Sequence, residues 1–136
     1  MAVIYYYELL KEELKKHLSY KESIYVAIVP SSKKGKYSPG IGLIVQRLRN
    51  DYHIVNTKNP LSRNYDIRKL AHGGRRDVSV HLDSIRTISE HVSRGAKTIL
   101  LDDVTTSGGS LIACQQLLES AGAGEIIAIA LAKTTE

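Results

Sequence analysis

Two adjacent carboxylates, Asp102 and Asp103, are followed by a run of small residues in this 136-residue chain. The glycines of the run, Gly108 and Gly109, allow a backbone to approach a phosphate closely. The hydroxyl donors around them are Thr105, Thr106, Ser107 and Ser110. Because carboxylates repel phosphate, the acid pair is interpreted as the acceptor for the vicinal hydroxyls of a ribose. A ribose 5-phosphate would satisfy both halves of this motif.

The elements on either side of the motif predict its position in the fold. Residues 99–101 are an apolar run of strand formers, and this strand is expected to end at the acid pair. Behind the glycines, apolar residues recur at helical spacing: Leu111, Ile112, Cys114, Leu117 and Leu118. The loop therefore joins a strand end to a helix start, where amide groups and the helix dipole favour an anion.

The decapeptide that begins with the acid pair, Asp-Asp-Val-Thr-Thr-Ser-Gly-Gly-Ser-Leu, resembles the 5-phosphoribosyl 1-pyrophosphate (PRPP) signature of the type I phosphoribosyltransferases. The resemblance implies that Asp102 and Asp103 are catalytic residues that hold the ribose hydroxyls and contact magnesium indirectly, through ribose or water. It also implies a 5-phosphate loop made of Val104, Thr105, Thr106, Ser107, Gly108, Gly109 and Ser110. An ordinary strand-loop-helix turn would explain the glycines but not the acid pair.

A lysine-rich loop follows the first apolar strand, residues 24–29, which ends at Pro30. At this place in a doubly wound sheet a second anion can lie beside the strand end. In the type I family this position carries the pyrophosphate loop, and the ligands implied here are Ser31, Ser32, Lys33 and Lys34. A solvated lysine cluster is the alternative, because exposed lysines are common and need no function.

Residues 57–76 are polar and irregular in pattern, which predicts a long functional or mobile loop. Its basic and hinge-forming residues are Arg63, Arg68, Lys69, His72, Gly73, Gly74, Arg75 and Arg76. By position, the resemblance implies a flexible loop that closes over the reacting centre, with Arg75 and Arg76 as catalytic residues that neutralise the departing pyrophosphate. Contact with a nucleic acid is the competing interpretation of the same charge.

The remaining pattern predicts strands that alternate with helices in a single domain, residues 1–136, with a core in residues 24–134. Helices are expected at residues 5–18, from Ser38-Pro39 onward, and from residue 77 towards 82. Short strands are expected at residues 52–56, 84–88 and 126–131. The sequence therefore predicts an α/β fold with three layers, doubly wound around a mainly parallel sheet.

The formal net charge of +5 indicates an anionic partner, either a polyphosphate substrate or a nucleic acid. Nucleic-acid binding is expected to be weak, because the basic residues are not interleaved with aromatic ones. The single cysteine, Cys114, excludes an internal disulfide and fits a reducing, cytoplasmic compartment. No apolar run reaches the length of a membrane span. Tyr5-Tyr6-Tyr7 is interpreted as an anchor to the sheet or to a second copy in a homodimer.

The reaction implied by the resemblance is displacement of pyrophosphate from C1 of PRPP by a nucleophile, with Mg²⁺ as the cofactor. The acceptor stays open, although Thr106 stands where purine salvage members carry an aspartate, which disfavours a purine. Ala-Gly-Ala at residues 121–123 and Leu-Ala-Lys-Thr at 131–134 resemble the ComF-type and orphan phosphoribosyltransferase domains. The alternative is a non-catalytic sensor of PRPP or nucleotides, or a nucleic-acid-binding regulator, on the same fold.

Overall fold

The computed structural model of the chain describes residues 3–19, 22–67, 78–92, 95, 97–105 and 108–133. Its helices are α1 (Val3–Leu14), α2 (Pro39–Asp51), α3 (Val78–Ser84) and α4 (Gly109–Ser120). Its strands are β1 (Ser23–Ile28), β2 (His53–Ile54), β3 (Leu61–Arg63), β4 (Ile85–Thr87), β5 (Thr98–Thr105) and β6 (Ile126–Lys133). A 3₁₀ turn spans Ser89–His91. Within these ranges, no helix is long and apolar enough to cross a lipid bilayer.

The central sheet is parallel and has the strand order β2-β1-β5-β6. Strands β3 and β4 form a separate antiparallel pair. In the central sheet, Ile28 at the end of β1 lies opposite Leu101 of β5, so the carboxyl ends of the two middle strands are neighbours. The predicted α/β fold with a mainly parallel, doubly wound sheet is confirmed.

Strand β5 divides the core into two layers, because its successive side chains point to opposite faces of the sheet. Ile99 and Leu101 belong to the cluster that packs under α1 and α2. Leu100 belongs to the other cluster, which includes residues of α4, β3 and β4. All three side chains are fully buried, as expected for an apolar run covered on both faces. The three-layer prediction is therefore confirmed.

The first two helices largely follow the sequence prediction. Helix α2 begins at Pro39, directly after Ser38, although the Ser38 side chain makes no capping hydrogen bond. Its buried residues are Ile41, Ile44, Val45 and Leu48. Helix α1 spans Val3–Leu14, so it begins and ends earlier than the predicted 5–18. Leu18, although beyond the helix, is still buried in the core.

Strand β2 has two residues, shorter than the predicted strand at 52–56. Beyond β2, two asparagine side chains form the hydrogen bonds with the β1 backbone that a longer strand would have formed. Asn56 accepts a hydrogen bond from the Val26 amide at 2.9 Å and donates one to the Val26 carbonyl at 2.8 Å. Asn59 makes the same pair of bonds with Ile28, at 3.0 and 2.9 Å. Each side-chain amide thus replaces a peptide group of the missing strand.

The interpretation of residues 57–76 as irregular is wrong for Leu61–Arg63, which form β3 and pair with β4. Residues 68–77 lie outside the described part of the chain, and with them the predicted hinge glycines and the arginines Arg75 and Arg76. The expected helix followed by a short strand is confirmed by α3 and β4. Strand β3 positions Arg63 beside the end of β1, where the candidate site begins.

Candidate ligand-binding site

A cavity of about 520 Å³ opens at the carboxyl ends of β1 and β5. The backbone amide of Val29 donates to the carbonyl of Leu101 at 2.9 Å, which holds the two strand ends together. The residues that line the cavity are Val29, Pro30, Ser31, Ser32, Lys33, Tyr37, Ser38, Pro39, Arg63, His81, Asp102, Asp103 and Ser110. The fold therefore brings the acid pair and most of the predicted pyrophosphate loop to one cavity, as parallel sheets do.

The acid pair lies within β5, because the strand continues to Thr105. The expectation that the strand ends at Asp102 is wrong, since Asp102 and Val104 still pair with β6. Asp102 is 7% exposed, whereas Asp103 is half-buried. One Asp102 oxygen accepts the Asp103 amide at 2.9 Å, and the other accepts the Ser110 hydroxyl at 3.2 Å. Asp102 thus links the strand end to the first turn of α4.

Burial and, to a smaller extent, the neighbouring charge of Asp103 together raise the pKa of Asp102 to about 7. The hydrogen bond from Ser110 acts against this rise, because it stabilises the carboxylate. At neutral pH a large share of the molecules therefore carries a proton on Asp102. A ligand that donates hydrogen bonds to this carboxylate would favour its ionised form.

Helix α4 begins beside the acid pair. Gly108 precedes it in the left-handed region with φ of +77°, a conformation that glycine adopts without strain. Ser110, in the first turn, lines the cavity. A helix N terminus at a ligand cavity has the arrangement expected of an anion site, here next to the acid pair. Of the predicted 5-phosphate loop, Thr106 and Ser107 lie outside the described residues.

The lysine-rich loop is held by its own hydrogen bonds and by one carboxylate. The Ser31 amide donates to the Lys36 carbonyl at 3.0 Å, and Gly35 has a φ of +71°. Asp66 accepts the Lys34 amide at 2.7 Å and lies 3.8 Å from the Lys33 ammonium group. Of the four predicted pyrophosphate ligands, Ser31, Ser32 and Lys33 line the cavity, whereas Lys34 is not among its lining residues.

Arg63 and His81 were not predicted to lie in the wall of the cavity. Arg63 was placed in a functional or mobile loop, and His81 was given no role. The structure buries both side chains, at 2% and 4% exposure. Arg63 Nη1 lies 3.4 Å from His81 Nδ1. Their partners lie 18 or more residues away in the chain, so no local pattern reveals the contact.

The remaining side chains argue for binding and positioning rather than for a covalent intermediate. Cys114 is fully buried, and burial raises the pKa of its thiol to about 12, so it does not provide a thiolate nucleophile. Among the residues that the structure describes, no three His, Cys, Asp or Glu side chains cluster as metal ligands. The chemistry available in the described cavity is that of hydroxyls, amides, cations, one imidazole and the acid pair.

Comparison with known proteins identifies the fold. No protein-family model matches the chain. A stretch of 57 residues, 42% of the chain, is 37% identical to the adenine phosphoribosyltransferase of Thermosipho melanesiensis and spans 28% of that protein. The adenine phosphoribosyltransferase of Thermoanaerobacter pseudethanolicus superimposes with a TM-score of 0.54 at 16% identity, over 98% of this chain and 81% of that one.

The adenine phosphoribosyltransferase of Saccharomyces cerevisiae, solved with an imino-altritol bisphosphate and adenine, gives a TM-score of 0.53 at 15% identity. That match covers 97% of this chain and 66% of the yeast chain. Identities this low establish the fold alone. The chain has the type I phosphoribosyltransferase fold that its acid-pair motif predicted.

Proposed function

We propose that the protein binds PRPP, or another ligand that contains ribose 5-phosphate, and transfers the phosphoribosyl group to an acceptor with release of pyrophosphate. One observation carries the proposal: the acid pair, the start of α4 and the lysine-rich loop all line a single cavity. The acid pair with α4 matches the ribose 5-phosphate end of PRPP, and the lysine-rich loop matches its pyrophosphate end. The fold shared with phosphoribosyltransferases supports the same assignment.

The ribose end of the ligand would lie against Asp103 and Asp102. Asp103 is half-buried and lines the cavity, so its carboxylate can accept ribose hydroxyls directly. Asp102 holds the Asp103 backbone and Ser110 in place through its two bonds. As positive charge develops on the ribose ring in the transition state, nearby carboxylates stabilise it.

The pyrophosphate end would lie against Ser31, Ser32 and Lys33, which line the same cavity. Negative charge accumulates on pyrophosphate as its bond to C1 breaks, and amides and a lysine cation stabilise that charge. Arg75 and Arg76 remain proposed catalytic residues for the same charge. The protein therefore acts mainly by positioning the two ends of the substrate.

Magnesium fits this site as an ion that would be coordinated mainly by the phosphate oxygens of the ligand. The described residues offer two carboxylates at the cavity, Asp102 and Asp103, and Mg²⁺ usually takes one or two carboxylates together with phosphate oxygens and water. When bound, the ion would neutralise charge on pyrophosphate. Asp103 is the more exposed of the two carboxylates, which favours it as the ligand.

Thermal unfolding with added ligands tests the proposal. Ribose 5-phosphate, and PRPP with magnesium, should each raise the melting temperature, because a ligand that binds the folded state stabilises it. Asp103→Asn should lose the shift with ribose 5-phosphate. Asp83→Asn removes the same charge from an exposed position on α3 and should keep the shift. Wild-type protein that responds to neither ligand would show that the proposal is wrong.

Catalysis is tested by pyrophosphate release from PRPP in the presence of nucleobases, amines and nucleic acids. The yeast relative was solved with adenine, yet Thr106 replaces the aspartate of purine salvage members, so we expect adenine to be a poor acceptor. Binding of PRPP without pyrophosphate release for any acceptor would favour the non-catalytic sensor.

A further inference from the structure

The guanidinium group of Arg63 is buried between the end of β1 and helix α3. Its Nε donates to the Ser31 carbonyl at 2.9 Å, and its Nη2 lies 3.3 Å from the Pro30 carbonyl. On the opposite side, Nη1 donates to the Ser84 hydroxyl at 2.5 Å. The Ser84 hydroxyl in turn donates to the Val80 carbonyl at 2.8 Å within α3. Arg63 thus connects the first residues of the lysine-rich loop to a separate helix.

These contacts fix the orientation of the loop peptides. The described part of the chain contains no cis peptide bond, so the peptide between Ser31 and Ser32 is trans. In a trans peptide the carbonyl and the amide N–H point in opposite directions. Because the Ser31 carbonyl points to Arg63, the Ser32 N–H points away from the guanidinium group. The Ser32 amide has no hydrogen-bond partner within the described residues, and Ser32 lines the cavity.

Arginine is suited to this position and lysine is not. A guanidinium group presents five N–H donors in a fixed plane, so it can bind two carbonyls on one side and a hydroxyl on the other. A lysine ammonium group is a compact point charge without that planar arrangement. A buried cation is retained in a folded protein when it is hydrogen-bonded on several sides, as Arg63 is.

We infer that Arg63 is a positioning residue for the pyrophosphate half of the substrate: it holds the Ser31 carbonyl so that the Ser32 amide is presented to the anion. The inference rests on the proposed function, since it assigns pyrophosphate to this loop. Substitution of Arg63 should therefore affect the binding of the two ligand halves differently. Arg63 orients the lysine-rich loop, whereas ribose 5-phosphate is held at the acid pair. Arg63 acts through the loop and need not touch the ligand.

The test compares two ligands, pyrophosphate with magnesium and ribose 5-phosphate, by calorimetric titration of the folded protein. Arg63→Lys and Arg63→Met should weaken pyrophosphate binding by about tenfold or more, the effect of losing one charge-assisted hydrogen bond. Their affinity for ribose 5-phosphate should be unchanged. Ser84→Ala removes the opposite anchor of the guanidinium group and should produce a smaller loss of the same kind.

Leu61→Ala is the matched control, because Leu61 is fully buried in the same strand and its apolar side chain cannot form a hydrogen bond with the Ser31 peptide. It should lower the melting temperature and keep both affinities. The NMR chemical shift of the Ser32 amide provides a readout without ligand. It should change in Arg63→Lys and Ser84→Ala and should be unchanged in Leu61→Ala. If the Arg63 variants fail to fold, Ser84→Ala decides the question by the same two readouts.

Three results would overturn the inference. The first is unchanged pyrophosphate affinity in both folded Arg63 variants, or in Ser84→Ala when those variants do not fold. The second is an equal loss of both ligands, since that pattern describes a general structural role. The third is wild-type protein that binds ribose 5-phosphate but not pyrophosphate, because the lysine-rich loop would then not be a pyrophosphate site. Wild-type protein that binds neither ligand would instead overturn the proposed function, and this inference with it.

Discussion

The hydroxyl of Ser110 donates a hydrogen bond to the carboxylate of Asp102, with 3.2 Å between the two oxygens. Ser110 belongs to the first turn of α4 and Asp102 to β5, so the bond joins the two elements that flank the predicted 5-phosphate loop. The same carboxylate accepts the Asp103 amide at 2.9 Å. Asp102 therefore supports the geometry of the site, and it does so in a buried position that disfavours its negative charge.

We predict that Asp102→Asn stabilises the unliganded protein at pH 8. Burial raises the pKa of Asp102 from 3.8 to about 7, so the folded state binds a proton more tightly than the unfolded state. The favourable contribution of this group is present below pH 3.8 and is lost as the pH rises to about 7. A neutral asparagine can keep the bond to the Asp103 amide and has no charge to bury. The difference between the two proteins should reach about 4 kcal/mol, because each unit of pKa shift corresponds to about 1.4 kcal/mol.

The measurement is chemical denaturation of both proteins from pH 4 to pH 8. The free energy of unfolding of the wild type, relative to Asp102→Asn, should fall across this range. Ser110→Ala serves as a control, because loss of its hydrogen bond to the carboxylate should raise the pKa of Asp102 further. Parallel curves for wild type and Asp102→Asn would show that Asp102 does not titrate in this window.

We predict that Asn59→Ala destabilises the fold by about 2 kcal/mol, because it removes three hydrogen bonds and leaves the Ile28 amide and carbonyl and the Leu61 amide without these partners. Native-state hydrogen exchange should show the Ile28 amide becoming less protected. Asn64→Ala is the matched control, since Asn64 is exposed and its side chain has no hydrogen-bond partner among the described residues. Equal effects of the two substitutions would mean that the Asn59 amide does not replace strand pairing.

The central strand and the helix that follows it could be predicted from the sequence because their patterns are local. The apolar run at residues 99–101 has the composition of a strand buried on both faces, and the acid pair follows it at the sheet edge. The α4 helix follows from the spacing of Leu111 and its neighbours. These features depend on adjacent residues, so they can be read without knowledge of the tertiary structure.

The features that were missed depend on contacts between distant residues. Asn56 was predicted at the end of a short strand and Asn59 in an irregular loop, yet their side chains pair with β1 from 30 and 31 residues away. Arg63 appears in the sequence as part of a basic loop, yet its carbonyl partner Ser31 lies 32 residues away. The local sequence pattern gives none of these residues a tertiary partner, whereas hydrogen bonds to distant residues fix all three side chains.

We predict that Cys114 resists alkylation in the folded protein. Its side chain is fully buried, and burial raises the pKa of the thiol to about 12, so the reactive thiolate is scarce and inaccessible. Iodoacetamide labelling at pH 8 should be slow in buffer and should accelerate across the denaturant unfolding transition. Rapid labelling below that transition would show that α4 opens locally at Cys114.

The last prediction concerns two glycines whose substitution by alanine should have opposite effects. At both Gly108 and Gly42, an added Cβ would meet no atom within 4 Å, so packing does not distinguish them. Gly108 has a φ of +77°, where an alanine is strained by about 1–2 kcal/mol. Gly42 lies within helix α2, where alanine is favoured over glycine by about 1 kcal/mol. Chemical denaturation should therefore show Gly108→Ala less stable, and Gly42→Ala more stable, than the wild type.

The same pair of variants reports on the ligand. If the 5-phosphate approaches the backbone before α4, the added methyl group of Gly108→Ala should weaken ribose 5-phosphate binding in protein that is still folded. Gly42 does not line the cavity, so Gly42→Ala should bind as the wild type does. Gly108→Asn should recover part of the stability, because asparagine tolerates the left-handed conformation, without recovering the affinity. Unchanged affinity in Gly108→Ala would place the 5-phosphate away from this backbone position.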